Sequence, residues 1–137
     1  AGPAVAQDLR ERAMSLLTAV GEVVWLDDEA LIDAVTAVSG SGPAYVFHLV
    51  EAMADAGVKL GLPADVAMRL ARATVSGAGE MLYRSDDTAG DLRKAVTSPG
   101  GTTAAALEVL MAGDGLRRLI ERTETAARDR ARELGGS

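Results

Sequence analysis

The sequence predicts an all-α fold, a helical bundle of about seven helices that forms an obligate homodimer. Hydrophobic residues make up 48% of the 137 residues and aromatic residues only 3%, so alanine, leucine, valine and methionine supply the apolar mass. This composition favours helices over sheets. Apolar residues also recur at helical spacing between glycine, proline or polar breaks. A chain this short cannot bury helices that are apolar on nearly every face, so we expect a second copy to cover them.

The first helix is expected from about Ala4 to Val20, with Pro3 in its first turn and Gly21 at its end. Its apolar stripe consists of Leu9, Ala13, Leu16, Leu17 and Val20. The segment from Glu22 to Leu26 is strand-like but short, which indicates an extended connector rather than a strand of a sheet. A second helix should run from Asp27 to about Val38, because it opens with three carboxylates, which suit a helix start.

The segment Ser39–Pro43 is expected to break the helical pattern, and Pro43 to restart it. The third helix, to about Leu60, is apolar on almost every face, and Gly61 suits the position just after its end. The fourth helix is expected from about Pro63 to Arg84. Two glycines in its interior, Gly77 and Gly79, cost about 1 kcal/mol each against alanine, which predicts that another backbone crosses there at close range.

Three further helical patterns complete the chain. A helix from about Ala89 to Val96 should begin behind Thr88, which resembles a capping residue. The next helix is expected from Thr103 to Met111 and the last from Leu116 to Leu134. Arginines alternate with glutamates on the outer faces of the last helix, which is typical of a solvated surface with i, i+4 ion pairs.

Composition argues against several classes of function. The net charge is −6 and there is no basic stripe, so we expect no nucleic-acid partner. Neither a transmembrane run nor a secretory signal is visible and cysteine is absent, so we expect a cytoplasmic protein without membrane contact. With His48 as the single histidine, we expect no metal site. The first residue is Ala1, which predicts a processed form or a fragment of something longer.

The most informative stretch is Val96–Thr103, which combines a proline, two glycines and four hydroxyl side chains. Pro99-Gly100 indicates a turn, and the residues after it should form the start of the following helix. Unpaired N–H groups and a partial positive charge make a helix start suitable for phosphate or carboxylate. On local sequence alone, an ordinary loop with a capping hydroxyl is the better supported alternative. If this stretch meets Ser39–Pro43 in space, the two define a small polar site suited to a carboxylate.

Gly40-Ser41-Gly42 begins like a dinucleotide fingerprint but does not satisfy it. No strand precedes it, the third glycine is missing and Pro43 interrupts the helix start. The chain itself is therefore expected to lack a nucleotide-binding α/β unit.

Several motifs, in order along the chain, resemble the C-terminal domain of Δ1-pyrroline-5-carboxylate reductase. They are Ala37 to Tyr45, Glu51 to Val58, Gly61-Leu62-Pro63, Val96 to Thr103, Gly115-Leu116 and Arg132-Glu133-Leu134. The resemblance implies a helical domain of the 6-phosphogluconate-dehydrogenase type that forms an interlocked homodimer. It also implies a parent enzyme that reduces L-Δ1-pyrroline-5-carboxylate to L-proline with NADPH or NADH. The sequence resembles only the helical domain of the family and not its N-terminal Rossmann domain. Residues 1–137 are therefore expected to form one helical domain for dimerisation and substrate binding.

The resemblance also implies roles for individual residues. The family's substrate loop matches Ser98, Gly100, Gly101, Thr102 and Thr103, whose N–H groups and hydroxyls would hold the pyrroline carboxylate. Thr103 matches the threonine near the ring nitrogen and is the expected catalytic residue, more by positioning than as an acid. Thr102 matches a position at which members of the family vary. The loop near the nicotinamide matches Ser41, Gly42 and Pro43, and no metal is implied.

Alternatives remain open at this point. The isolated chain could be a helical dimer without ligand affinity or activity, because the main nucleotide-binding residues are missing from it. A regulatory helical module that binds a small acid is a third reading. The family forms homodimers and in some members decamers, and the sequence does not separate these.

Overall fold

The computed structural model describes residues 5–135, and the regular structure in that range is entirely helical. The α-helices are α1 (Gln7–Thr18), α2 (Ile32–Val35), α3 (Gly42–Lys59), α4 (Ala64–Arg84), α5 (Ala89–Ala95), α6 (Thr102–Leu110) and α7 (Leu116–Gly135). A 3₁₀ turn, Glu29–Leu31, leads into α2, and a π turn, Thr36–Gly40, follows it. The all-α prediction is confirmed. The expected places of Pro3 and Ala4 at the start of the first helix lie outside the described residues.

The connector from Glu22 to Leu26 is extended and forms no strand, as predicted. It runs beside α1, where the guanidinium of Arg10 lies 5.2 Å from the centre of the Trp25 ring. A cation over the face of an aromatic ring is a favourable contact, and it ties the connector to the helix. None of the residues of α1 is buried within the chain.

The predicted break at Ser39–Pro43 is wrong in its form. The backbone stays helical through this segment, since Ser41 has φ −88° and ψ −19° and its N–H donates to the Thr36 carbonyl at 2.8 Å. That bond joins residues five apart, which is the spacing of a π turn. The glycine-serine pattern, which resembles a loop in the sequence, therefore lies in a helical turn. The Ser39 hydroxyl also donates to the Val35 carbonyl at 3.1 Å. Pro43 then lies in the first turn of α3, where its missing N–H costs nothing.

Helices α3 and α4 form the principal packing unit, an antiparallel hairpin. Gly61 has φ +102° at the end of α3, the Leu62 N–H donates to the Gly57 carbonyl at 3.1 Å, and the Gly61 N–H donates to Val58 at 2.9 Å. This pair of bonds is a Schellman motif, which confirms the predicted role of Gly61. The small buried core of the hairpin consists of Ala54, Ala67 and Ala71, with Val50 and Met53 packed against it.

Helix α7 folds back onto α2 and the π turn. Ala37 is 1% exposed in the π turn, and the Arg132 Nε lies 3.6 Å from the Asp33 carboxylate of α2. The i, i+4 ion pairs predicted along α7 are wrong in spacing, because the pairs described are Arg130 with Glu133 and Arg128 with its neighbour Asp129. Residues three apart also adjoin on a helix surface, and packing on α2 draws Arg132 away from its own helix.

A single chain leaves most of its apolar surface open. Only Ala37, Ala54, Ala67 and Ala71 are buried among the described hydrophobic residues, whereas Phe47 is 68% exposed. The accessible surface is 10,826 Å², and a compact monomer of 14.1 kDa exposes about 6,700 Å². The excess of about 4,000 Å² per chain exceeds the roughly 1,000–2,500 Å² that each partner of an obligate dimer usually buries, so it leaves ample surface for such an interface. Within residues 5–135, no helix is both long and apolar enough to cross a bilayer.

Candidate functional site

The candidate site is the Ser98–Gly101 turn together with the start of α6. The Gly101 N–H donates to the Ser98 carbonyl at 3.0 Å, which closes a four-residue turn. Pro99 occupies its second position, and Gly100, with φ +69°, its third. A turn with proline second and a positive φ third is the type II pattern, which requires glycine at the third position. The predicted Pro99-Gly100 turn is therefore confirmed, and it aims the chain into α6.

The first turn of α6 has free backbone donors. Gly101 is the residue before the helix, its carbonyl accepts from the Ala105 N–H at 3.2 Å, and no side chain caps the helix. The described hydrogen bonds leave the N–H groups of Thr102, Thr103 and Ala104 without an acceptor. The capping hydroxyl that local sequence favoured is absent from this helix start. Three N–H groups and the positive end of the helix dipole therefore point out of the start of α6.

Hydroxyl groups near these donors differ in availability. The Thr97 hydroxyl donates to the Arg93 carbonyl at 2.6 Å, so it serves the end of α5. Ser98, Thr102 and Thr103 are exposed, and the hydrogen bonds described for this region do not involve their side chains. The first turn of α6 also carries no acidic residue that would repel an anion. This arrangement can hold a carboxylate on backbone donors while one or more hydroxyls reach a neighbouring polar atom.

Gly101 has a second structural constraint. A Cβ atom built on Gly101 would lie 3.2 Å from the Ser98 carbonyl oxygen. Any side chain larger than hydrogen would therefore press against the turn that it follows. Because glycine has no side chain, the backbone in front of α6 stays accessible to a ligand.

Helix α5 holds the other end of this segment. The Thr88 hydroxyl accepts from the Asp91 N–H at 3.2 Å and donates to the Asp91 carboxylate at 2.6 Å, which confirms the predicted cap. The Lys94 ammonium donates to the same carboxylate at 2.8 Å. The hydrogen bonds from Lys94 and then Thr88 lower the pKa of Asp91, because they favour its charged form. The cap thus fixes the start of α5, the helix that leads into the Ser98–Gly101 turn.

Ser41, Gly42 and Pro43 have fewer free groups than expected. The Ser41 N–H is used by the π turn, so it cannot serve a ligand. A Cβ on Gly42 would meet nothing within 4 Å, so the backbone there stays open to close approach. No extensive packing within the chain joins α6 to α3 or to the π turn. Packing between these elements therefore gives no sign of a site that the two glycine-rich segments share within the single chain.

Polar groups outside the start of α6 include one histidine and, in residues 5–135, two buried atoms without hydrogen-bond partners. The His48 Nδ1 lies 3.1 Å from the Glu51 carboxylate, and both side chains are exposed, which confirms a local hydrogen bond on α3. No cluster of potential metal ligands occurs in the part of the chain that the structure describes. The Tyr45 hydroxyl and the Arg10 Nε are buried without a hydrogen-bond partner there. Sequence reasoning missed both atoms, and a tyrosine in an otherwise apolar helix was the available signal for one of them.

These features define a class of protein, an all-α domain with open apolar faces and a helix start equipped for an anion. Residues 29–134 match the family model described as pyrroline-5-carboxylate reductase dimerisation. The chain belongs to this family.

Similar proteins agree with this assignment. A pyrroline-5-carboxylate reductase of Pseudomonas aeruginosa is 53% identical over 124 residues, which cover 90% of this chain and 45% of that protein. The structure of a pyrroline-5-carboxylate reductase from Coxiella burnetii matches with a TM-score of 0.90 and 43% identity over 97% of this chain and 49% of that one. A Plasmodium falciparum pyrroline carboxylate reductase, solved with NADP bound, matches with a TM-score of 0.81 and 30% identity over 98% of this chain and 50% of that one. The chain thus spans about half the length of the curated relatives it matches.

Proposed function

We propose that this chain is the substrate-binding and dimerisation half of a pyrroline-5-carboxylate reductase, which reduces L-Δ1-pyrroline-5-carboxylate to L-proline with NADPH or NADH. The observation that carries the proposal is the uncapped start of α6 behind a type II turn, in a chain of this family. Its N–H groups suit the carboxylate that substrate and product share. The proposal includes a homodimer, with a higher oligomer as an extension, and the cytoplasmic location expected from the sequence.

In the proposed complex the backbone of α6 binds the substrate carboxylate, and the side chain of Thr103 positions the substrate ring. The free N–H groups of Thr102, Thr103 and Ala104 hold the substrate carboxylate, and Ser98 with Gly100 and Gly101 shapes the space around it. The Thr103 hydroxyl then hydrogen-bonds the ring nitrogen and orients the imine. A threonine hydroxyl is a poor proton donor, so its contribution is mainly orientation. This residue is the proposed catalytic residue.

This chain offers residues for only one end of the NADPH or NADH cofactor. Residues 5–135 contain no strand, so they offer no strand, glycine-rich loop and helix unit to cradle a pyrophosphate. The open backbone at Gly42, flanked by Ser41 and Pro43, would contact the nicotinamide end. When bound, the cofactor supplies the hydride. The proposal therefore assigns most of the cofactor site to an N-terminal nucleotide-binding half.

Substitutions in the full-length protein test the site. Thr103→Ala should lower kcat/KM by on the order of tenfold or more, because the imine loses its orienting hydroxyl. Gly101→Val should raise KM by a similar factor, since its side chain would press on the Ser98 carbonyl. Thr102→Ala is the matched control and should have a smaller effect. Unchanged kcat and KM in both Thr103→Ala and Gly101→Val would refute the site assignment.

The isolated 137-residue chain tests a second candidate, a helical dimer without ligand affinity. The lack of packing between α6 and the π turn favours that candidate for the chain alone. Titration with L-proline should shift the amide NMR signals of Thr102, Thr103 and Ala104 if the start of α6 binds carboxylate by itself. Absence of these shifts, combined with damage by Thr103→Ala in the full-length protein, would establish the inactive dimer for the chain alone.

A further inference from the structure

The middle of α4 carries a feature that the proposed reductase site does not use. Gly77 and Gly79 lie inside a 21-residue helix, where glycine costs about 1 kcal/mol relative to alanine. The sequence predicts a close backbone crossing there, yet a Cβ built on either glycine meets nothing within 4 Å in the single chain. The hairpin contact with α3 lies elsewhere, at Ala67 and Ala71. Within the described part of the chain, the space beside both glycines is therefore empty.

The two glycines lie on different faces of α4. Leu70, Gly77 and Met81 are seven and four residues apart, so they share one face of the helix. Leu70 is 50% exposed and Met81 is 51% exposed, so this face is apolar and uncovered. Gly79 instead shares its face with Arg72 and with Tyr83, which is 84% exposed.

The charged groups around the first face suit the rim of an interface. Glu80 and Arg84 form an ion pair along one flank of the Gly77 face. An apolar centre with a polar rim is the usual composition of a protein contact. Met81 also lines an apolar groove between α4 and α5, beside Leu82 and Leu92. A glycine between two large apolar side chains leaves room for the backbone of another helix to approach closely.

We propose that the Leu70–Gly77–Met81 face of α4 receives a helix of a second copy of this chain, with Gly77 as the point of closest approach. The inference rests on the homodimer proposed above and names where its helices meet. Two observations select a second copy as the occupant. The chain belongs to a dimerisation family, and its surface exceeds that of a compact monomer by about 4,000 Å², which is ample for one partner's share of an obligate dimer interface. Gly79 remains on the solvent side of α4.

Matched substitutions test the point of closest approach. Gly77→Leu and Gly79→Leu remove the same helix penalty from the same helix, so they differ only in the face that gains a side chain. Sedimentation equilibrium should show that Gly77→Leu raises the dimer dissociation constant by on the order of tenfold or more. Gly79→Leu should leave the constant within about threefold of wild type. Circular dichroism verifies that both variants keep their helices.

Thiol labelling provides a second measurement that does not place bulk at Gly77. The chain contains no cysteine, so Met81→Cys and Tyr83→Cys each introduce a unique thiol two residues apart on opposite sides of α4. Above the dimer dissociation constant, the Met81→Cys thiol should react on the order of tenfold more slowly than the Tyr83→Cys thiol. Dilution below that constant should bring the two rates together.

The outcomes separate this inference from the dimer itself. A wild-type chain that sediments as a monomer overturns both. A wild-type dimer in which Gly77→Leu associates as tightly as Gly79→Leu overturns only the placement on α4. Equal labelling of the two thiols in the dimer also overturns it, and this labelling result decides the question if Gly77→Leu does not fold.

Discussion

Gly100 shows how one backbone angle shapes the candidate site. Its φ of +69° costs an L-residue roughly 1–2 kcal/mol, and only glycine adopts that region freely. The turn that depends on it directs Gly101 and the free N–H groups of α6. A change at Gly100 therefore acts on ligand binding through geometry rather than by removing a contact.

Gly100→Ala should destabilise the turn by about 1 kcal/mol and raise the KM for the pyrroline in the full-length protein. Urea unfolding and steady-state kinetics measure the two effects. Gly113→Ala is the control, since Gly113 lacks a positive φ and its Cβ would meet nothing within 4 Å. Equal KM values for the two variants would contradict the role of this angle.

Asp91 predicts a pH dependence at the start of α5. Its pKa is lowered in the folded chain by hydrogen bonds from Lys94 and Thr88, so the folded state favours the ionised carboxylate. That stabilisation is fully present above the ordinary aspartate pKa of about 3.9 and is lost as the pH falls through the lower folded-state pKa.

Asp91→Asn should therefore weaken α5 at pH 6 but not at a pH below the folded-state pKa. Hydrogen exchange of the α5 amides by mass spectrometry at the two pH values measures this difference. Asp87→Asn serves as a control, because the Asp87 side chain forms no described ion pair. A deficit in Asp91→Asn that persists unchanged in strong acid would contradict this explanation.

The α3–α4 hairpin requires the backbones of its two helices to approach each other closely. A Cβ on Gly57 would lie 3.2 Å from the Ala67 Cβ and 3.4 Å from the Leu62 Cδ1. The Schellman motif at Gly61 fixes the turn immediately beside this contact. The two helices therefore approach each other over alanine and glycine, and larger side chains would force them apart.

Gly57→Ala should lower the free energy of unfolding by about 1 kcal/mol, because crowding against Ala67 outweighs the gain in helix propensity. Gly90→Ala in α5 should instead be neutral or stabilising, since its Cβ would make an ordinary contact with Thr88 at 3.6 Å. Denaturant unfolding of both variants tests the contrast. A Gly57→Ala chain more stable than wild type would show that the hairpin relaxes freely.

For the molecule as a whole, the exposed apolar surface makes stability depend on association. A chain that buries only four alanines among its described hydrophobic residues has little core of its own. An obligate dimer gains its stability on pairing, so its unfolding is coupled to dissociation. The midpoint of thermal unfolding should therefore reflect the concentration of chains.

The Tm of the 137-residue chain should rise by several degrees for each tenfold increase in chain concentration. Differential scanning calorimetry over a hundredfold concentration range measures this shift. A Tm independent of concentration would indicate a monomer that is stable in its own right.

Helix positions were largely predictable from the sequence, because apolar spacing and punctuation by Gly61, Thr88 and Pro99 act locally. The π turn at Thr36–Gly40 was not predictable, since glycine and serine next to Pro43 resemble a loop in any local reading. The contact of Arg132 with Asp33 was not predictable either, because it forms only when α7 packs on α2.

The sequence by itself determined the helical class, the Pro99-Gly100 turn and the family, because each rests on residues close together or in a fixed order. Tertiary structure decided which groups are free. It left the N–H groups at the start of α6 without acceptors, used the Ser41 N–H inside a π turn, and left Gly77 uncovered. These outcomes depend on hydrogen bonds and packing between elements, and no local pattern specifies which partner a group finds once the chain has folded.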